Sequence, residues 1–205
     1  MLNLDPNDSV TYTPQQQTAI SDLIDNRGRR SGKELWEEKG AEDIFVTIKT
    51  AIKKHTLNVQ KVRCAYCESI LGYGGVQIEH YAPKGRYPQY LYEPLNLVCS
   101  CPVCNGVSLK GANDTIAGNA ETNYRDNTFR YVHPYLDDVD AEIRYRDPFK
   151  IFLDYNHCSD RGKLTIDLFH WNTTHARKKR FSNLLVWSTV ESRRKIIEEI
   201  LNYKE

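Results

Sequence analysis

No stretch of this 205-residue sequence approaches the ~20 consecutive apolar residues that cross a bilayer. The opening residues, MLNLDPNDSVTYTPQQQ, have neither a basic start nor an apolar signal core, so a cytoplasmic location with no membrane partner is expected. Net charge is also nearly absent. The 28 Lys and Arg almost cancel the 27 Asp and Glu, which argues against a dedicated DNA-binding module of high affinity. Any nucleic-acid surface has to come from local clusters. There is no internal repeat and no low-complexity tract. The 40% hydrophobic content is enough for an ordinary core, which excludes a disordered chain.

What the chain does have is cysteine in pairs. Cys64/Cys67 and Cys101/Cys104 are two Cys-x-x-Cys turns with 33 residues between them. Each such turn lets two sulfurs converge on one ion, and two turns complete a tetrahedral four-sulfur site of the kind zinc prefers. With no secretion signal, reduced metal-bound thiolates are a better reading than disulfides. Cys99 and Cys158 are left over, and both read as small buried hydrophobes.

The gap between the pairs is longer than the roughly 15 to 20 residues of a simple zinc ribbon. It contains Ile78-Glu79-His80, Pro83-Lys84 and Asn96-Leu97, and Asn105 directly follows the last cysteine. These residues resemble the HNH endonuclease family, with His80, Asn96 and Asn105 at the three signature positions. Within that family the pattern looks most like bacterial proteins that include the nuclease partner in Septu-type phage-defence operons. The resemblance covers about a quarter of the chain. It implies a zinc-stabilised ββα-metal core, phosphodiester hydrolysis of DNA or RNA, and an ATPase partner. Many HNH enzymes have histidine where this chain has Asn105, and an amide oxygen favours a hard ion such as Mg2+, or Mn2+, as the catalytic metal.

Taken in order, the chain predicts an α+β fold. Residues 1–60 form a helical scaffold, 61–125 the zinc-bound core, and 126–205 a small β element with a long final helix, all in one structural domain. Thr13, Pro14 and Gln16 spell a capped helix start, with Ile20, Leu23 and Ile24 on one face. A short helix and a longer one are expected between Glu34 and Leu57, interrupted near Gly40. In the core, residues 69–71 and 76–81 read as strands joined by glycines, and 102–110 as a short helix. Residues 112–127 read as an irregular surface stretch. Strands are expected at 142–146, 149–155 and 164–169, and a helix capped by Asn172 or Thr173 running to Tyr203, with Phe181, Leu184, Leu185, Ile196, Ile197, Ile200 and Leu201 on its apolar side.

The chemistry assigned to these residues follows from their types. A neutral histidine can take a proton from water at physiological pH, so His80 is the candidate base. Glu79 and Asn105 are the candidate oxygen ligands of the divalent ion. Resemblance gives Asn96 the task of holding the loop or the His80 ring, and Lys84 and Lys110 could contact flanking phosphates. His133-Pro134-Tyr135 with Asp137-Asp138 reads as a turn or as an approach to the active site. The basic run Arg177 to Arg180, with Arg193-Arg194-Lys195, reads equally as a nucleic-acid track or a solvated helix face. The rival to a nuclease is a non-catalytic zinc module that binds nucleic acid or a partner protein.

Overall fold

The first helix, α1 (Pro14–Asp25), starts where its sequence says it should. Thr13 accepts from the Gln16 N–H, and Gln16 Oε1 accepts in return from the Thr13 N–H at 3.0 Å, closing a capping box. Ser31 and Glu34 make the same box ahead of α2 (Gly32–Glu37). Gly40, with φ of 72°, then breaks the chain before α3 (Ile44–Val59), whose buried residues Phe45, Ile48, Ile52 and Thr56 recur at helical spacing. Leu23, Leu35, Phe45, Ile48 and Ile52 form one core with Val10, Leu91, Tyr92 and Leu97, and Ile20 and Ile24 pack against it. Burying each large side chain contributes about 1.5–3 kcal/mol relative to exposure.

The computed structural model describes residues 1–72, 75–189 and 192. The fold is α+β. Its contacts divide the chain into Met1–Val139 and Asp140–Glu205, so the expected scaffold and core share one unit. Among the described residues, no helix is long and apolar enough to cross a membrane.

In the first unit, β1 (Gln77–His80) pairs antiparallel with β2 (Leu97–Ser100), placing Glu79 opposite Val98 and His80 opposite Leu97. The partner expected for β1, residues 69–71, lies elsewhere. The Cys64/Cys67 turn bends that segment back on its own start, so Ser69 O accepts from Cys64 N–H and Val62 O from Leu71 N–H. Only a single bridge, Arg63 to Ile70, remains of the expected strand. Tyr73 and Gly74 of the glycine connection lie outside the described residues. The other edge of β2 is closed by the Gln60 side chain, which accepts from Cys99 N–H at 2.7 Å and donates to Cys99 O at 2.8 Å. The helix α4 (Pro102–Asn105) is one turn long, shorter than expected. Residues 112–127 are irregular, yet they bury Thr115, Ile116, Tyr124 and Asn127 rather than lying wholly on the surface.

The helix α5 (Val139–Glu142) spans the boundary between the units. In the second unit the expected strands 142–146 and 149–155 reduce to one bridge, Tyr145 to Leu153. Residues 164–169 belong mostly to α6 (Asp160–Leu168), not to a strand. Their apolar alternation misleads because Leu164 is exposed, whereas Gly162, Thr165, Ile166 and Phe169 are buried at helical spacing, behind a Ser159 cap. The last described helix, α7 (Thr174–Trp187), is capped by Thr173. It stops at Ser188, whose backbone is extended, well short of Tyr203. None of its residues is buried, Phe181, Leu184 and Leu185 being half-covered. Arg193, Arg194, Lys195, Ile196, Ile197, Ile200 and Leu201 lie outside the described residues.

Candidate active site

The four paired cysteines converge. The sulfurs of Cys64, Cys67, Cys101 and Cys104 all lie within 4.8 Å of one another, with Cys67 and Cys101 at 3.8 Å. A tetrahedral ion with sulfurs at about 2.3 Å separates each pair by about 3.8 Å, so the cluster has the dimensions of a metal site. Backbone N–H groups already face the sulfurs, Cys101 N at 3.4 Å from Cys64 Sγ and Cys104 N at 3.5 Å from Cys101 Sγ. Such contacts stabilise thiolate charge. Mutual hydrogen bonding among the thiols pulls Cys67 and Cys101 down, Cys101 to about 6, and pushes Cys64 and Cys104 up. The donor set therefore fits a structural metal. Cys99 and Cys158 are buried outside it.

The strand β1 ends in two buried residues that point to opposite faces, as neighbours in a strand must. On one face, Glu79 Oε1 meets Lys110 Nζ at 2.7 Å, and the Tyr66 hydroxyl lies 3.4 Å away. Burial pushes the Glu79 carboxyl up, against the opposing pull of Lys110. Lys110 is 1% exposed, and its ammonium also donates to His80 O at 2.7 Å and Gly111 O at 3.4 Å. Its ammonium thus faces three internal acceptors.

On the other face, His80 Nε2 lies 3.0 Å from Leu91 O. A carbonyl only accepts, so Nε2 carries the proton and Nδ1 keeps its lone pair, with no hydrogen-bond partner among the described residues. The ring is 3% exposed and meets Trp36 of α2 edge-on at 4.6 Å. Burial, then the charge of Lys84, lowers the His80 pKa to about 3, so the imidazole is neutral at physiological pH. Lys84 itself is half-buried, with its ammonium 6.0 Å from the Trp36 ring. The loop carrying Lys84 and the start of α2 touch so closely that a Cβ on Gly32 would sit 1.9 Å from Lys84 O.

Asn96 holds the loop rather than the ring. Its Oδ1 accepts from Ala82 N–H at 2.6 Å, and its Nδ2 donates to Ala82 O at 3.2 Å and Tyr90 O at 2.9 Å. These contacts fix the two ends of the segment from His80 to Leu91, the residue that orients the imidazole. Behind Asn96 stands a relay that sequence reasoning missed. His133 Nδ1 accepts from the N–H groups of Tyr135 and Leu136, so its Nε2 carries a proton and donates to the Tyr124 hydroxyl at 3.0 Å. That hydroxyl in turn donates to Asn96 Oδ1 at 3.0 Å, which settles the orientation of the amide. His133-Pro134-Tyr135 is thus a turn, tied by Asp137 Oδ2 to His133 N–H at 2.6 Å, and it also reaches the site. The signal for Trp36 and Tyr124 was only their aromatic type; neither has a motif spacing.

Asn105 is not brought to His80. Its amide donates to Gln77 Oε1 at 2.8 Å, at the far end of β1. Glu79 is bound to Lys110 and Asn105 to Gln77, and Gln77 and Glu79 lie two residues apart on one face of β1. Among the described residues, the four cysteines are the one group of His, Cys, Asp or Glu drawn together as a metal site.

The chain is similar to Septu protein PtuB of Bacillus thuringiensis. The two are 28% identical over 130 residues, which is 60% of this chain and 42% of that protein. The chain therefore spans less than half of the relative's length. No protein-family model matches the chain.

Proposed function

We propose that this chain is an HNH-type nuclease that hydrolyses phosphodiester bonds in nucleic acid, serving a bacterial anti-phage defence system alongside an ATPase partner. The observation that carries the reading is the His80 imidazole: neutral, held by Leu91 O through Nε2, and keeping the Nδ1 lone pair, on a strand whose partner β2 leads into the four-cysteine centre. In this reading Nδ1 takes a proton from a water whose oxygen attacks phosphorus, and the ester oxygen leaves. Asn96 positions the loop, and Lys84, the half-buried cation nearest the ring, meets the phosphate. Structural zinc would sit on the four cysteines and tie the Cys64/Cys67 turn to the Cys101/Cys104 turn that follows β2. Glu79 and Asn105, which meet Lys110 and Gln77 on one face of β1, would be the residues to hold a divalent ion, and that ion would polarise the scissile phosphate. Similarity to a Septu protein supports the defence role and the partner.

A second reading has its own support. Glu79 is spent on Lys110 and His80 is 3% exposed, as expected of a zinc module that binds without cutting. Incubating purified protein with plasmid and with total RNA, with Mg2+, Mn2+ or chelator, separates the two. Cleavage that disappears in His80→Ala supports the nuclease; binding without cleavage under every condition supports the module.

A further inference from the structure

A base that takes a proton from water has to meet water, and His80, buried as it stands, does not. Trp36 is what lies on it. The indole meets the imidazole edge-on at 4.6 Å and is itself half-exposed, so on this side a single side chain separates His80 from solvent.

The start of α2 is fixed. Leu35 is fully buried and Gly32 is pressed against Lys84 O, so the part free to move is the Trp36 side chain and the residues after it. Two cations hold the indole. The Lys49 ammonium is 5.4 Å from its centre and donates to Trp36 O at 2.8 Å and to Glu38 O at 3.4 Å, and the Lys84 ammonium is 6.0 Å away. Both lysines are half-buried, and a cation–π contact is weak where water or a phosphate competes for the cation. Other features count against the closed position. The Tyr92 ring lies 5.3 Å from Trp36, and its hydroxyl is buried with no hydrogen-bond partner among the described residues. Burial, then the charge of Glu38, pushes the Tyr92 pKa up, which places that hydroxyl within the field of the end of α2. A buried hydroxyl left unpaired is unfavourable, and water entering as Trp36 leaves would satisfy it. Just past α2 the backbone is left-handed at Gly40, Glu42 and Asp43, with φ of 72°, 51° and 54°, a region that side chains rarely adopt.

We propose that Trp36 is a gate over His80, closed in this structure, which swings outward to admit water and the phosphate of a substrate. The gate rests on the reading of His80 as the base. Lys84 is the trigger: a phosphate that draws its ammonium off the indole removes one of the two cations holding the ring, and Lys49 alone then ties the end of α2. The chain is thereby inactive at rest and opens where a phosphodiester is already seated.

Diethyl pyrocarbonate acylates the lone-pair nitrogen of a neutral imidazole, so it reads the gate in the full chain without reference to cleavage. Modified histidines are mapped by mass spectrometry. Exposed His175 sets the rate of an open imidazole, and His133, fully buried with its Nδ1 occupied, reports unfolding. A gate open about 10% of the time or less makes His80 react roughly tenfold or more slowly than His175. In Trp36→Ala the His80 rate is expected to rise by about the same factor while His133 stays silent. Lys49→Met, which keeps the indole and removes its tie, should give a smaller rise, and it decides alone if His133 reacts in Trp36→Ala. His80 reacting as fast as His175 in the wild-type chain, or no faster in the variants than in the wild type, overturns the gate. Cleavage of plasmid and RNA is measured in parallel. Faster modification with no cutting by any variant keeps the gate and removes the nuclease reading, whereas cutting with His80 equally reactive throughout removes the gate alone.

Discussion

The cysteine cluster and the His80 site lie in the same unit, yet they are built in opposite ways. Two short turns bring four sulfurs together: the Cys104 N–H faces Cys101 Sγ within the second turn, and the Cys101 N–H faces Cys64 Sγ of the first. His80 depends on residues scattered along the chain: Trp36 from α2, Leu91 from the loop, and Asn96 held through Tyr124 by His133. The first site is local and rests on its ligand. The second is tertiary, and its precision depends on many buried hydrogen bonds.

The largest expected effect tests the local site. Cys64→Ser or Cys104→Ser removes a thiolate from a centre whose binding free energy is folding free energy, roughly 10 kcal/mol or more for structural zinc. Insoluble or metal-free protein is expected. Elemental analysis finding wild-type zinc in soluble forms of both variants would sink the assignment.

His80→Ala is expected to separate the two sites. Loss of a general base costs ~100- to 10,000-fold in rate, while zinc content should stay at the wild-type level because His80 is not a cysteine-site ligand. A variant that cuts at the wild-type rate would place the base elsewhere.

Lys110→Met sharpens the contrast from beneath β1. Removing one partner of a buried ion pair costs about 3–5 kcal/mol, since the Glu79 carboxylate is left without its counter-charge. Denaturant unfolding should show that loss, and adding Glu79→Gln should recover much of it. Equal stability of the single and double variants would mean that the pair is not coupled.

Tyr124→Phe has the smallest expected effect on stability, about 1–3 kcal/mol for the hydrogen bonds lost at His133 and Asn96. Misplacing a reacting group costs rate out of proportion to stability, so a roughly tenfold or greater fall in kcat with KM unchanged is expected. A change in the 15N shifts of the His80 ring would show that the relay reaches the base; unaltered shifts and kcat would reduce Tyr124 to a packing residue.

Much of this was legible because some signals are self-contained. The Thr13-Pro14-Gln16 start, the break at Gly40 and the Cys-x-x-Cys spacing each encode a local geometry, and each appears in the structure. The strand expected at 164–169 failed because alternation over six residues cannot compete with a Ser159 cap and a buried helical face. The partner of β1 was misassigned because pairing is decided across the chain, by β2 and Gln60, not by the nearest apolar run. The ion pair of Lys110 with Glu79 was not legible, because a lysine after a metal knuckle carries no sign that a buried carboxylate awaits it. Asn105 stood beside the last cysteine in sequence, but the single turn of α4 carried it toward Gln77.

The Gln60 side chain has one further consequence. By supplying a donor and an acceptor to Cys99, it acts as a one-residue third strand and closes the outer side of β2 at that point. An exposed sheet edge is a template on which another polypeptide can add a strand. Here that template is already filled from within, so a protein that binds this unit cannot dock by extending the sheet past Cys99.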